Sequence, residues 1–169
     1  MNPMILEEQK KVSHTVGISD MKVTNDPNTK IVTHALGSCL GVTIYDPVVG
    51  VGGMIHIQLP LSTIDVQKGI DRPCMFVDTG IPLLFEEAYR LGAVKSRIHL
   101  KVAGGAQFLD IGGKFRIGER NFAILRKMLW KNSVLIEGQD VGGTISRTLF
   151  LDIATGEVTI RSGNETWVL

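Results

Sequence analysis

The sequence predicts a single-domain α+β fold. Only two stretches, around residues 79–91 and 120–131, show helical periodicity. Short apolar runs punctuated by turns lie before, between and after them, without the strict strand–helix alternation of a doubly wound sheet. Glycine is 19 of 169 residues, about 11 % against a typical ~7 %, and so large a share predicts many tight turns. At roughly 100–200 residues per domain, this length favours one domain.

The elements follow in chain order. Residues 1–15, polar and mixed in charge, read as an N-terminal arm or short helix, with the folded domain over 16–169. Leu40, Val42 and Ile44 alternate with Gly41, Thr43 and Tyr45, the period of a half-buried strand. Asp46-Pro47 opens a turn that runs through Gly50, Gly52 and Gly53. Ile55, Ile57 and Leu59 then alternate with Met54, His56 and Gln58, and Pro60 ends this second strand, so the two segments form a hairpin. A helix is expected over Thr79 to Leu91, capped by Asp78 or Thr79, with Pro82 in its first turn and Gly92 closing its end. A strand over Arg97 to Val102 leads to the glycine pairs Gly104-Gly105 and Gly112-Gly113. The second helix, Arg120 to Lys131, places Phe122, Leu125, Met128 and Leu129 on one face. The tail is β-rich: Val134 to Glu137, then Arg147 to Ile153 and Glu157 to Arg161 around the turn Ala154-Thr155-Gly156.

Composition excludes several classes. Lys+Arg 18 against Asp+Glu 17 leaves a net charge of +1, which argues against a nucleic-acid binder working through a basic field. Neither a signal-peptide pattern nor an apolar run of about 18 residues occurs, so the expectation is a cytoplasmic protein with no membrane insertion and reduced thiols. Neither G-x-x-x-x-G-K-[ST] nor G-x-G-x-x-G is present, and the glycine pairs read as turns and close backbone contacts. The four histidines show no close-spaced ligand set, and no CxxC pair exists, so no metal or other cofactor is expected.

The chemistry-bearing candidates are Cys39 and His56. Cys39 lies in Leu36-Gly37-Ser38-Cys39-Leu40-Gly41, a small-residue bend able to expose a side chain and turn backbone N–H groups toward one point, as an oxyanion hole requires. By strand alternation, both Cys39 and His56 point away from the more aliphatic face. A hairpin register that opposes Cys39 to His56 or Gln58 makes them direct or diagonal neighbours, whereas a slip of one residue separates them. Spacing thus permits a Cys–His pair without demanding one. The competing reading makes Cys39 a small core hydrophobe. An adjacent imidazole would bring the thiol down from its usual ~8.5 toward the nucleophilic range. Cys74, in Asp71-Arg72-Pro73-Cys74-Met75, lacks such a setting and reads as an inert thiol.

The run from Thr33 to Pro47 (THALGSCLGVTIYDP) resembles the signature of the CheD family of chemoreceptor glutamine deamidases. So do Gly52 to Pro60, Phe76-Val77-Asp78 leading into Ile81 to Leu84, Val102 to Ala106, Ile117 to Asn121 and Asp140 to Gly143, in the expected order over about residues 16–162. The resemblance implies an α+β sandwich of sheets flanked by helices, similar in its active site to the deamidase domain of cytotoxic necrotizing factor toxins. It implies hydrolysis of receptor glutamines to glutamates through a cysteine thioester. It places the nucleophile at Cys39, the catalytic histidine at His56 and a third, orienting member at Thr33. Departures from many relatives are His34 beside Thr33 and Leu40 in place of valine, neither of which removes a catalytic atom. The implied partners are the cytoplasmic helices of methyl-accepting chemotaxis receptors and the CheC phosphatase. A silent CheC-binding regulator, or a cysteine protease or acyltransferase with the same Cys–His chemistry, is the alternative reading. An intact set of Cys39, His56 and Thr33 favours the live enzyme over the regulator.

Overall fold

The computed structural model of the protein describes residues 10–107 and 116–169. Residues 1–9 of the predicted arm and the Gly112-Gly113 pair lie outside them. The described strands are β1 (Val12–Thr15), β2 (Asp20–Thr24), β3 (Thr29–Leu36), β4 (Leu40–Asp46), β5 (Val51–Ile57), β6 (His99–Gly104), β7 (Ile136–Val141), β8 (Arg147–Asp152), β9 (Val158–Ser162) and β10 (Glu165–Val168). The described helices are α1 (Val66–Asp71), α2 (Val77–Arg90) and α3 (Ile117–Lys131). One sheet runs β1-β3-β8-β9-β10 and the other β2-β5-β4-β6-β7, an α+β architecture of two sheets with flanking helices.

Strand alternation sorts side chains between two cores. In β4 and β5, Leu40, Val42, Ile44, Ile55 and Ile57 join Ile81, Leu84, Phe85, Leu125 and Leu129 from α2 and α3, so the helices cover the outer face of the second sheet. The inner face meets the first sheet: Met54 and Ala103 pack with Ile31, Leu36, Leu149, Leu151 and Ile160. Fully burying each such Leu or Ile contributes about 1.5–3 kcal/mol. The expected β4–β5 hairpin is present, with Leu40 opposite Ile57 and Gly41 opposite His56.

Local signals misplaced several boundaries. The end of the predicted arm is strand β1, which pairs in parallel with β3 and covers an edge that would otherwise expose unpaired backbone groups. Helix α2 starts at Val77, so Pro82 sits inside it rather than in its first turn. Asp78 does not cap that helix, because its carboxylate accepts from the Ser62 backbone N–H at 2.9 Å and hydroxyl at 2.7 Å. Thr79 donates instead to the Pro73 carbonyl at 2.6 Å. Gly92 does follow the helix in a left-handed conformation, with φ +97°.

Candidate functional site

Two strands in the same sheet carry the candidate nucleophile and imidazole. His56 is held on both sides of β5, opposite Gly41 in β4 and Asp20 in β2. The β4–β5 ladder ends at the Leu40–Ile57 pair, so Cys39 stands just beyond it, diagonal to His56. Of the two registers weighed from the sequence, the structure has the one opposing Cys39 to Gln58. Cys39 packs against the inter-sheet cluster, and His56 shares its face of β5 with Met54 of that cluster. Both residues therefore occupy the inner face of the sheet.

Thr33 reaches this face from the other sheet. A bulge in β3 between Thr33 and Leu36, with Ala35 in a left-handed conformation at φ +57°, advances the register by one residue. As a result Thr33 and Leu36 are both buried, while His34 and Ala35 between them are exposed. His34 thus stands on the solvent side of β3, apart from the buried imidazole.

The Thr33 hydroxyl lies 2.7 Å from His56 Nδ1 and 2.7 Å from the Val16 carbonyl. A hydroxyl has one proton, and the Val16 carbonyl can only accept, so Thr33 donates to Val16 and accepts from His56 Nδ1–H. That bookkeeping assigns the neutral tautomer with the lone pair on Nε2. Nε2 is buried and has no hydrogen-bond partner among the described residues, so the Cys39 thiol does not bond to it in the resting protein. An unpartnered acceptor on a side chain only 1 % exposed carries a desolvation cost.

Burial sets the protonation of both groups. Desolvation lowers the His56 pKa from the usual 6.5 to about 4, so the ring is neutral across the physiological range. Desolvation also pushes the Cys39 thiol up, with its own backbone N–H pulling weakly the other way. The expectation that an adjacent imidazole lowers the thiol is therefore reversed in the resting protein. The arrangement holds a neutral thiol and a neutral base, not a standing ion pair.

The bend that presents Cys39 is fastened by backbone contacts. Gly105 N–H donates to the Cys39 carbonyl at 2.9 Å and Ala106 N–H to the Gly37 carbonyl at 2.8 Å. Gly104 has φ +111°, and a Cβ there would lie 2.2 Å from the Cys39 carbonyl oxygen, so only glycine fits. Reading the glycine pair as a close backbone contact holds at this position. Cys74, by contrast, sits in the short turn Pro73–Met75 and packs toward the helix-side core.

Three participants were missed from the sequence: the Val16 carbonyl, the Gly105–Ala106 N–H groups as fasteners, and Asn121. The side-chain amide of Asn121 donates to the Ser38 carbonyl at 3.0 Å and the Gln58 carbonyl at 3.1 Å. The available signal was helical spacing, since Asn121 precedes Leu125 and Leu129 by one and two turns on the buried stripe of α3.

Fold and site together define an α+β protein with a partly exposed thiol beside a buried, hydroxyl-anchored imidazole. A family profile described as CheD chemotactic sensory transduction matches residues 58–162. The chain is 53 % identical over 147 residues (87 % of this chain, 92 % of the relative) to "Probable chemoreceptor glutamine deamidase CheD 1" of Syntrophus aciditrophicus. It is 47 % identical to "Probable chemoreceptor glutamine deamidase CheD 2" of Anaeromyxobacter dehalogenans, over 89 % of this chain and 95 % of the relative. It is 45 % identical to "Probable chemoreceptor glutamine deamidase CheD" of Solibacter usitatus, over 89 % of each chain. The chain belongs to the CheD family.

Proposed function

We propose that this protein is a chemoreceptor glutamine deamidase that hydrolyses receptor glutamine side chains to glutamates with Cys39, His56 and Thr33. The observation that carries the reading is the Thr33–His56 bond, which leaves a vacant Nε2 lone pair on the face that also holds Cys39. Family membership supplies the substrate class.

The chemistry follows from the protonation states. As the Cys39 sulfur bonds to the amide carbon, its proton passes to His56 Nε2, so thiolate and imidazolium arise together rather than beforehand. In this reading, backbone N–H groups of the Gly37–Leu40 bend serve as the donors to the oxygen that gains negative charge. The imidazolium returns its proton to the amide nitrogen, the carbon–nitrogen bond breaks, and ammonia leaves a thioester on Cys39. Neutral His56 then takes a proton from water as its oxygen attacks the thioester; the carbon–sulfur bond breaks and the imidazolium returns that proton to the departing sulfur, giving the glutamate side chain, free thiol and neutral base. Thr33 keeps Nδ1 protonated throughout, so that Nε2 remains the working atom. Atoms balance as one water in, one ammonia out.

The same reading includes docking to the receptor's cytoplasmic helices and to a CheC phosphatase, supported by family resemblance alone. It also makes water, not an amine, the acceptor. Co-expression with a receptor cytoplasmic domain, followed by peptide mass spectrometry and pull-down, tests the acceptor and the receptor docking: the wild type converts selected glutamines to glutamates, and Cys39→Ala converts none while still binding the receptor. Deamidation by folded Cys39→Ala, or loss of its receptor binding, would overturn the proposal.

A further inference from the structure

The deamidase reading leaves Asn121 unused, although it is 0 % exposed and bonded to both halves of the site. Resting on that reading, we propose that Asn121 is a positioning residue for the reaction: its amide holds the Cys39 bend in register with the strand end that follows His56.

The contacts are specific to this task. Ser38 immediately precedes the nucleophile, and Gln58 lies two residues after the base. Backbone pairing between β4 and β5 stops at Leu40–Ile57, one step short of Cys39. The Asn121 amide continues the link across the gap, using Nδ2 to bridge the two carbonyls at 3.0 and 3.1 Å. A flipped amide would set its oxygen against both carbonyls, so the donor assignment is unambiguous. Asn121 Oδ1 is buried with no partner among the described residues, a desolvation cost with no return in stability. Leu125 and Leu129 on the same stripe show that an apolar residue would satisfy packing alone.

Helix α3 is also seated to transmit that constraint. Gly118, one turn before Asn121, lies so close to the Gly105 backbone that a Cβ would meet its carbonyl at 2.5 Å. Gly105 in turn donates to the Cys39 carbonyl. The first turns of α3 therefore brace the bend from two sides: through the Gly105 turn and through the Asn121 amide. Misplacing a nucleophile by about an ångström costs on the order of 10²-fold in rate, so a small drift of the bend is enough to matter.

The test uses the full chain in a Cys74→Ser background, leaving Cys39 as the sole thiol. Asn121→Ala, Asn121→Ser and the control Leu125→Ala are each made with and without His56→Ala. Two quantities are measured below the melting temperature: kcat and KM for receptor deamidation, and the rate of Cys39 alkylation by iodoacetamide. Asn121→Ala is expected to lower kcat about 10²-fold with KM within a few-fold. It should also shrink the slowing of alkylation that His56→Ala causes in the parent, the coupling that a double-mutant cycle reads. Asn121→Ser keeps one donor and should fall between, and it decides the matter if the alanine variant does not fold. Leu125→Ala should cost as much thermal stability or more while leaving the coupling intact. Folded Asn121 variants with undiminished kcat and unchanged dependence on His56 would overturn the proposal. If alkylation of the parent ignores His56→Ala and Cys39→Ala still deamidates, the deamidase reading itself fails, and this inference falls with it.

Discussion

The surroundings of the two cysteines differ less in thiol acidity than in what stands beside the sulfur. Both thiols are partly buried, and burial raises both pKa values, with the negative charge of Asp20 adding to the effect at Cys74. Acidity therefore does not single out a nucleophile. Cys39 shares the inner face of its sheet with an imidazole whose Nε2 is empty, and its bend is held by Gly105, Ala106 and Asn121. Cys74 sits in a short turn against the helix-side core, where the ionisable group acting on it is the Asp20 carboxylate and not an imidazole. Under the proposed reading, the contrast teaches that a positioned proton acceptor, and not a low resting pKa, distinguishes Cys39 from Cys74.

Removing that acceptor should have the largest effect on the contrast. His56→Ala is expected to lower kcat by about 10²–10⁴-fold, the usual worth of a positioned general acid–base, bringing Cys39 down to the level of Cys74. Equal alkylation rates for the two cysteines in this variant, measured by mass spectrometry, would support the account. Undiminished deamidation would end it.

A smaller loss follows from Thr33→Val, which keeps shape but removes the hydroxyl. Nδ1–H then has no acceptor in a buried setting, a cost of about 1–3 kcal/mol, and the ring is free to choose the other tautomer. Deamidation should fall roughly tenfold, since one kcal/mol and a little more separates each decade. Thr33→Ser should restore most of it. Equal activity in the Val and Ser variants would show that the hydroxyl does not orient the imidazole.

Acid should expose the same imidazole through stability. In the unfolded chain His56 takes up a proton near pH 6.5, while in the folded protein it resists until about pH 4. The unfolded state thus binds more protons between these values, so stability is full above pH 6.5 and declines as pH falls toward 4. The total is about 3 kcal/mol at low pH. Denaturant midpoints across this window should slope downward for the wild type, and His56→Ala should lack this part of the slope. The acid limb of kcat/KM should likewise lie near pH 4, not near the ordinary imidazole value. Parallel stability profiles in the two proteins would contradict the neutral, desolvated ring.

The smallest effect is expected from Cys74→Ser, which removes a thiol that packs toward the helix-side core away from His56. Deamidation should stay within a few-fold of wild type, with at most a modest loss of melting temperature from the packing change. Complete loss of activity in a folded Cys74→Ser protein would mean that the two cysteines had been assigned the wrong way round.

Much of the contrast was legible in the linear chain, because it depends on local periods. Alternation in 40–45 and 54–59 put Cys39 and His56 on one face, and the turn residues between them paired the two strands. Helical spacing found the bodies of α2 and α3, although not the start of α2. There Asp78 turned out to serve Ser62, a partner distant in sequence, instead of the helix end.

Other features have no local period to betray them. The β3 bulge between Thr33 and Leu36 puts two exposed residues, His34 and Ala35, between side chains buried on one face, which simple alternation would not predict. The choice of Nε2 as the free nitrogen depends on Thr33 and Val16, brought to β5 from elsewhere in the chain. The Asn121 bridge depends on α3 docking over the β4–β5 end. Sequence by itself determined which residues share a strand face, since successive side chains alternate and adjacent strands pair through short turns. Only the packing of one sheet and one helix against the other sheet decided the tautomer of His56, its desolvation and the hold on Cys39. Those properties belong to contacts between layers, whose partners are separated by tens of residues and are chosen by the burial of the whole core.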